Sequence, residues 1–188
     1  MRRQQNRPSS SEAAAVDHVG LDLDREGMVE PGAELEQMRA QAREVVLRRL
    51  SHAPRTRAQL ADSLRKCQIP DNVAAQVLDE LTDVDLIDDA AFARAWVDGR
   101  SHSRGLSRSR LRRELLDRGI DIDLAENAVS GLDSASDEQT ARALAEQWSN
   151  RRPLLTDNDR SRLVGYLVRR GYSPGLAARI ARQGERDE

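Results

Sequence analysis

The chain of 188 residues has little of several things: one cysteine, one lysine, three histidines, five aromatic side chains and no long apolar run. Each shortage excludes something. A single thiol, Cys67, rules out an intrachain disulfide framework and a cysteine-rich zinc site. Nothing approaches the roughly 18 consecutive apolar residues that mark a membrane span. The basic start, Met1-Arg2-Arg3, is followed by no apolar stretch and is no secretory signal. The compartment expected is the cytoplasm. His18, His52 and His102 stand far apart, with no Ser, Asp or Cys at catalytic or metal-ligand spacing, and no GxxxxGK(S/T) phosphate loop occurs. No enzyme, metal or cofactor is therefore expected. Apolar residues make up 38% and charged residues 33%, wetter than the roughly 45–50% and 25% of an ordinary globular domain, which argues against one large core.

What is present is charge, and its basic half is almost all arginine. Thirty Lys+Arg face 32 Asp+Glu. Arginine offers a planar fork of donors suited to phosphate and carboxylate. Residues 1–32 hold Pro8-Ser9-Ser10-Ser11 and the acids Asp17, Asp22, Asp24, Glu26 and Glu30 without a sustained apolar period. Such composition reads as a disordered acidic tail, ended by Pro31-Gly32.

Beyond it the periodicity is helical almost everywhere, over 34–51, 57–67, 71–82, 89–103, 108–118, 123–132, 137–150, 160–170 and 174–183. These segments repeat in threes. Leu60, Leu111 and Leu163 align at spacings of 51 and 52 residues. Thr56, Ser107 and Asp159 stand four places earlier as N-caps, and Leu64, Leu115 and Leu167 four places later. Ile69, Ile120 and Tyr172 follow, then Val73-Ala74, Leu124-Ala125 and Leu176-Ala177. Gly119 and Gly171 end two of the leading helices, where positive φ is easiest, and Gln68 takes that place in the first. Val45, Trp96 and Trp148 correspond more loosely, and Phe92 matches Leu144. The pattern predicts an all-α protein of three tandem three-helix repeats, 33–84, 85–134 and 135–188, in an elongated, curved array whose units bury one another's faces.

The segment Leu86-Ile87-Asp88-Asp89-Ala90-Ala91-Phe92-Ala93-Arg94-Ala95-Trp96-Val97 resembles the "IDD..FA..WV" signature of the RecX regulatory proteins. Gly105 through Ile120, with Arg110-Leu111, Glu114-Leu115 and Gly119-Ile120, is similar to the family's "G..RL..EL..KGI", and Leu163 to Tyr172 resembles its "L.RRGF" ending. The resemblance covers about residues 41–183. Asp85 stands where the family often has Gly, a modest cost because Asp tolerates the left-handed conformation better than most residues. The resemblance implies a non-enzymatic, monomeric regulator of DNA repair, recombination and the SOS response. It implies binding to the RecA recombinase, chiefly to its filament on single-stranded DNA, with restraint of ATP hydrolysis, filament extension and strand exchange.

Read by themselves, Asp88 and Asp89 suit a helix cap better than a metal pair, because no third ligand lies nearby. Phe92, Trp96 and Trp148 read as packing residues, and Tyr166, beside the Leu163/Leu167 face, as the better candidate for contact. Cys67 reads as a half-buried packing residue. The candidate partner- and DNA-binding residues are arginines: Arg104, Arg108, Arg110 and Arg113 in the second repeat, and Arg151, Arg152, Arg160, Arg162 and Arg169 in the third. They read either as a solvated face of Arg–Glu pairs such as Arg110–Glu114 or as a stripe that follows a phosphate backbone or an acidic groove. The near-zero net charge suits a protein that grips another protein and touches DNA secondarily. Two rival readings stand beside this: a helix-turn-helix DNA reader and a helical-repeat adaptor with no DNA role.

Overall fold

A computed structural model describes residues 31–151 and 156–183, and within them the chain is all-helical. The expected acidic tail falls almost wholly outside these residues. The helices are α1 (Pro31–His52), α2 (Arg57–Lys66), α3 (Asp71–Asp83), α4 (Asp89–Arg104), α5 (Arg108–Leu116), α6 (Ile122–Val129), α7 (Ser134–Arg151), α8 (Asp157–Arg169) and α9 (Pro174–Gln183). They pack in consecutive sets of three, α1–α3, α4–α6 and α7–α9.

The aligned leucines explain the packing. Leu60 and Leu64 on α2, Leu111 and Leu115 on α5, and Leu163 and Leu167 on α8 are all sealed from solvent. One turn of helix puts each pair on a single face. Full burial of one leucine side chain is worth about 1.5–3 kcal/mol. The three sets own separate buried clusters. The first centres on Val46, Leu60, Leu64 and Val77. The second centres on Ala93, Leu111, Leu115 and Val129. The third centres on Ala141, Leu163, Leu167 and Tyr172.

Each leucine helix ends in the same turn. Gln68, Gly119 and Gly171 take positive φ, and the next amide reaches back five residues, from Ile69, Ile120 and Tyr172 to the carbonyls of Leu64, Leu115 and Leu167. This is the Schellman closure. Asp85 closes α3 the same way at φ 58°, so the substituted Asp keeps the turn.

Two expectations are corrected. Asp159 is not the cap of α8; that helix starts earlier, and Thr156 caps it by accepting from the Asp159 amide. The Thr156 hydroxyl in turn donates to the Asp159 carboxylate at 2.7 Å. A Thr three residues upstream of an Asp offers a better-placed oxygen, and the Asp serves within the first turn. Cys67 is exposed rather than half-buried: it continues the Leu60/Leu64 row at helical spacing, but as the C-cap it stands beyond the last turn of α2. Thr56 and Ser107 do cap α2 and α5.

Candidate nucleic-acid interface

The sets of helices meet through the starts of α2 and α5. At the first junction the Thr56 hydroxyl donates to the Arg118 carbonyl at 2.7 Å, and the Arg57 amide donates to the Asp89 carboxylate at 2.9 Å. A Cβ on Gly119 would lie 2.3 Å from that of Ala58, so only glycine lets the turn approach. At the second junction the Ser107 amide donates to the Arg170 carbonyl at 3.0 Å, and Ser109 donates to the Gly171 carbonyl at 2.9 Å. The Arg108 amide donates to Asp137 at 3.0 Å. Gly171 is as tight as Gly119, with Ser107 Oγ and Arg110 Cβ 2.4 Å from any added Cβ. The second junction has two further bonds: the Tyr172 phenol donates to the Gly105 carbonyl at 3.0 Å, and Arg170 Nε to that of Arg104 at 3.2 Å. Burial pushes the Tyr172 phenol well above its ordinary range. Burial also raises the Asp89 and Asp137 carboxyls, against the lowering pull of the Arg57 and Arg108 amides.

Asp88 caps α4 through the Ala91 amide, so both carboxylates of the IDD segment have structural work. Among the described residues no group of His, Cys, Asp and Glu could hold a metal ion.

Beside the first junction, Trp96 is the hub of a polar cluster. The guanidinium carbons of Arg100 and Arg118 lie 3.3 and 3.5 Å from its ring centroid, a cation–π arrangement. The indole N–H donates to Glu114 at 3.1 Å. Glu114 also meets Arg100 and Arg110 at 3.4 and 3.2 Å. Burial lowers the Arg118 guanidinium, which Glu114 partly offsets. Fifty-two residues later Tyr166 stands in place of Glu114, and Arg170, in place of Arg118, lies 3.7 Å over its ring. Trp148 packs against the third cluster, and Phe92 stacks on Trp96 at 5.7 Å.

The structure divides the candidate arginines into two groups. Arg108 pairs with Glu126, Arg110 with Glu114, Arg160 with Asp157 and Arg162 with Asp159. Glu126 also takes Arg112, which holds its carboxyl below the usual range. These pairs match the solvated-face reading. Arg113 is exposed, and Arg152 lies outside the described residues. Arg104, Arg151 and Arg169 instead line one groove of about 740 Å³ between the end of α4 and helices α7 and α8. Arg170 joins them there. Sequence reasoning did not single out Arg170, although it precedes Gly171 as Arg118 precedes Gly119 and so shares a register with a residue packed on an aromatic ring.

Among the described residues no helix is long and apolar enough to cross a membrane. The family model of the RecX first three-helix domain matches residues 42–81, and that of the second matches residues 88–129. Similar proteins include the regulatory protein RecX of Thermobifida fusca, 48% identical over 160 residues (85% of this chain and 86% of that protein). That of Streptomyces lividans is 48% identical over 149 residues, covering 79% of each chain. That of Mycobacterium avium is 42% identical over 142 residues, 74% of this chain and 82% of the relative. The crystal structure of RecX from Lactobacillus salivarius superposes with a TM-score of 0.68 at 23% identity, over 79% of this chain and 97% of that one, and shows the same fold. With relatives this similar over most of its length, the chain belongs to the RecX family of regulatory proteins.

Proposed function

We propose that the chain regulates the RecA recombinase by binding its filament on single-stranded DNA, restraining ATP turnover, filament extension and strand exchange in repair, recombination and the SOS response. In this reading it acts without catalysis or cofactor, as a cytoplasmic monomer. The observation that carries the reading is 48% identity to regulatory proteins named RecX over 79–85% of the chain. The row of separately cored helix sets, which we take as units 33–84, 85–134 and 135–188, supplies a suitable form: successive units can contact successive recombinase protomers. Arginines of the second and third units would meet DNA or acidic filament surfaces. Bridging protomers would resist the motions that accompany ATP turnover, and filling the filament groove would exclude a second duplex.

The test is ATP turnover by the host's own recombinase on single-stranded DNA, with this protein titrated in at physiological salt. Loss of turnover at or below stoichiometric protein is the expected result. Unchanged turnover, with filaments intact and this protein folded, would remove the reading.

A further inference from the structure

The two inter-unit grooves occupy related positions and differ in charge. The first lies between the end of α1 and the start of α4, over Ala91, Phe92 and Ala95, with Asp85, Asp88 and Arg55 at its edge. Moving 52 residues along the chain turns Ala91, Phe92 and Ala95 into Ala143, Leu144 and Gln147, which line the second groove. The same step turns Gly99 into Arg151, Asp117 into Arg169, Glu114 into Tyr166 and Asp88 into Thr140. The lining of the first groove holds two carboxylates, Asp85 and Asp88, beside Arg55; in the second, Thr140 stands in place of Asp88 and Arg151 and Arg169 add positive charge, while two of the three packing positions keep a small or apolar residue. Among the described residues, the lining of the second groove holds four arginines and no acid.

That concentration favours an external anion. Elsewhere arginines such as Arg65, Arg110 and Arg142 meet a carboxylate within one helical turn. Among the described residues, Arg104, Arg151 and Arg169 have no such partner, and their like charges oppose one another. Arg170 has given its Nε to a carbonyl and its face to Tyr166. The remaining lining suits a base as well as a phosphate. Leu106, Leu144 and Tyr166 are apolar or aromatic, Gln147 can donate and accept, and the hydroxyls of Ser101 and Thr140, whose hydrogens go to the Asp98 and Ser136 carbonyls, can accept. A recess of about 740 Å³ is within the usual size of a small-molecule pocket, about 300–1,000 Å³. A duplex keeps its bases stacked inside, whereas a single strand can turn one into such a recess.

We infer that the groove between the end of α4 and helices α7–α8 binds single-stranded nucleic acid, with Arg104, Arg151 and Arg169 on the phosphodiester and the recess beneath them taking a base. The inference sharpens the regulatory reading above by placing its DNA contact, but its test contains no recombinase, so either can fail alone.

The test is fluorescence anisotropy of a labelled short oligothymidylate with the full chain, over a series of salt concentrations. Arg151→Gln with Arg169→Gln is expected to weaken binding about tenfold or more at physiological salt. It should also reduce the slope of log affinity against log salt by about 1.4, from roughly 0.7 per single-strand phosphate contact. Circular dichroism and the thermal midpoint should stay unchanged, because neither side chain is paired. Arg43→Gln with Arg65→Gln, which removes carboxylate-paired arginines of the first unit, should change binding by less than about twofold, since exposed ion pairs contribute little. Three results would overturn the inference: an oligonucleotide that does not bind the wild-type chain, a groove variant that binds as well as wild type, or an equal loss from the paired set. Binding of polyglutamate in place of the oligonucleotide, lost with the same groove variant, would reassign the groove to an acidic polypeptide.

Discussion

The two junctions share a backbone plan and differ in what surrounds it. In each, a turn glycine presses against the start of the preceding unit's leucine helix, a carbonyl just before that glycine accepts a bond, and a carboxylate from the following unit's first helix takes the second helix's leading amide. These parts set how neighbouring units sit, and both junctions keep them. Around the first, Arg100 and Arg118 lie over the Trp96 ring, and Glu114 meets both the indole N–H and Arg100. Around the second, Tyr166 replaces the carboxylate and the arginine charge stands open in a groove. Joining and binding thus use different atoms. Main-chain groups and glycines join; side chains at the same register are free to change sign.

The strongest way to break this comparison is through the glycines. Gly119→Ala and Gly171→Ala should each cost about 2–5 kcal/mol, from left-handed strain of about 1–2 kcal/mol and overpacking of about 1–3 kcal/mol. Urea unfolding measures both, and the losses should be similar. Gln68→Gly, at the same turn of the first unit (φ 59°), should instead gain about 1 kcal/mol. A harmless Gly171→Ala would refute the close approach at the second junction. Next comes the junction carboxylate: Asp137→Ala leaves the Arg108 amide unpaired and should cost about 1–3 kcal/mol, and Asp89→Ala should match it through the Arg57 amide.

Tyr172→Phe separates the junctions. It removes the phenol bond to the Gly105 carbonyl and should lower stability by about 1 kcal/mol. Its counterpart Ile120 has no hydroxyl to lose, so the extra bond belongs to the second junction alone.

The smallest effect carries a sign. Burial is the largest influence on Asp137 and raises its pKa, so the folded chain holds this proton to higher pH than the unfolded chain does. Its contribution is then fullest below the ordinary carboxyl value of 3.8 and declines as pH rises through the folded value. Asp137→Asn keeps an acceptor for the Arg108 amide and should remove that slope while shifting neutral-pH stability by less than about 0.5 kcal/mol. Unfolding midpoints across mildly acidic pH show which occurs.

Much of this architecture was legible because the leucine helix is locally coded: Leu60/Leu64, Leu111/Leu115 and Leu163/Leu167, a polar cap before them and a left-handed turn after. The junction carboxylates were not. Asp89 is the first residue of α4, whereas Asp137 is the fourth of α7, so the two acids that make one bond sit a helical turn apart in the repeat register and no alignment of repeats pairs them. The arginines were legible as a set and not as two sets. Arg108 and Arg110 differ from Arg151 and Arg169 only in what lies across from them, and in the case of Arg108–Glu126 that partner is 18 residues away. The Asp159 misreading has a similar source, since Thr156 and Asp159 both carry good capping oxygens and only the length of α8 decides between them.

The Thr156–Asp159 pair has a consequence for how the row is joined. Thr56 gives its hydroxyl hydrogen to the unit after it, and the leading amides of α2 and α5 are likewise taken up by downstream chain. Each of the first two units therefore completes its hydrogen bonding only with its successor in place. α8 keeps its hydroxyl hydrogen for its own Asp159. The same kind of capping oxygen thus serves in one place as a hook onto the neighbouring unit and in the other as a lock on its own helix.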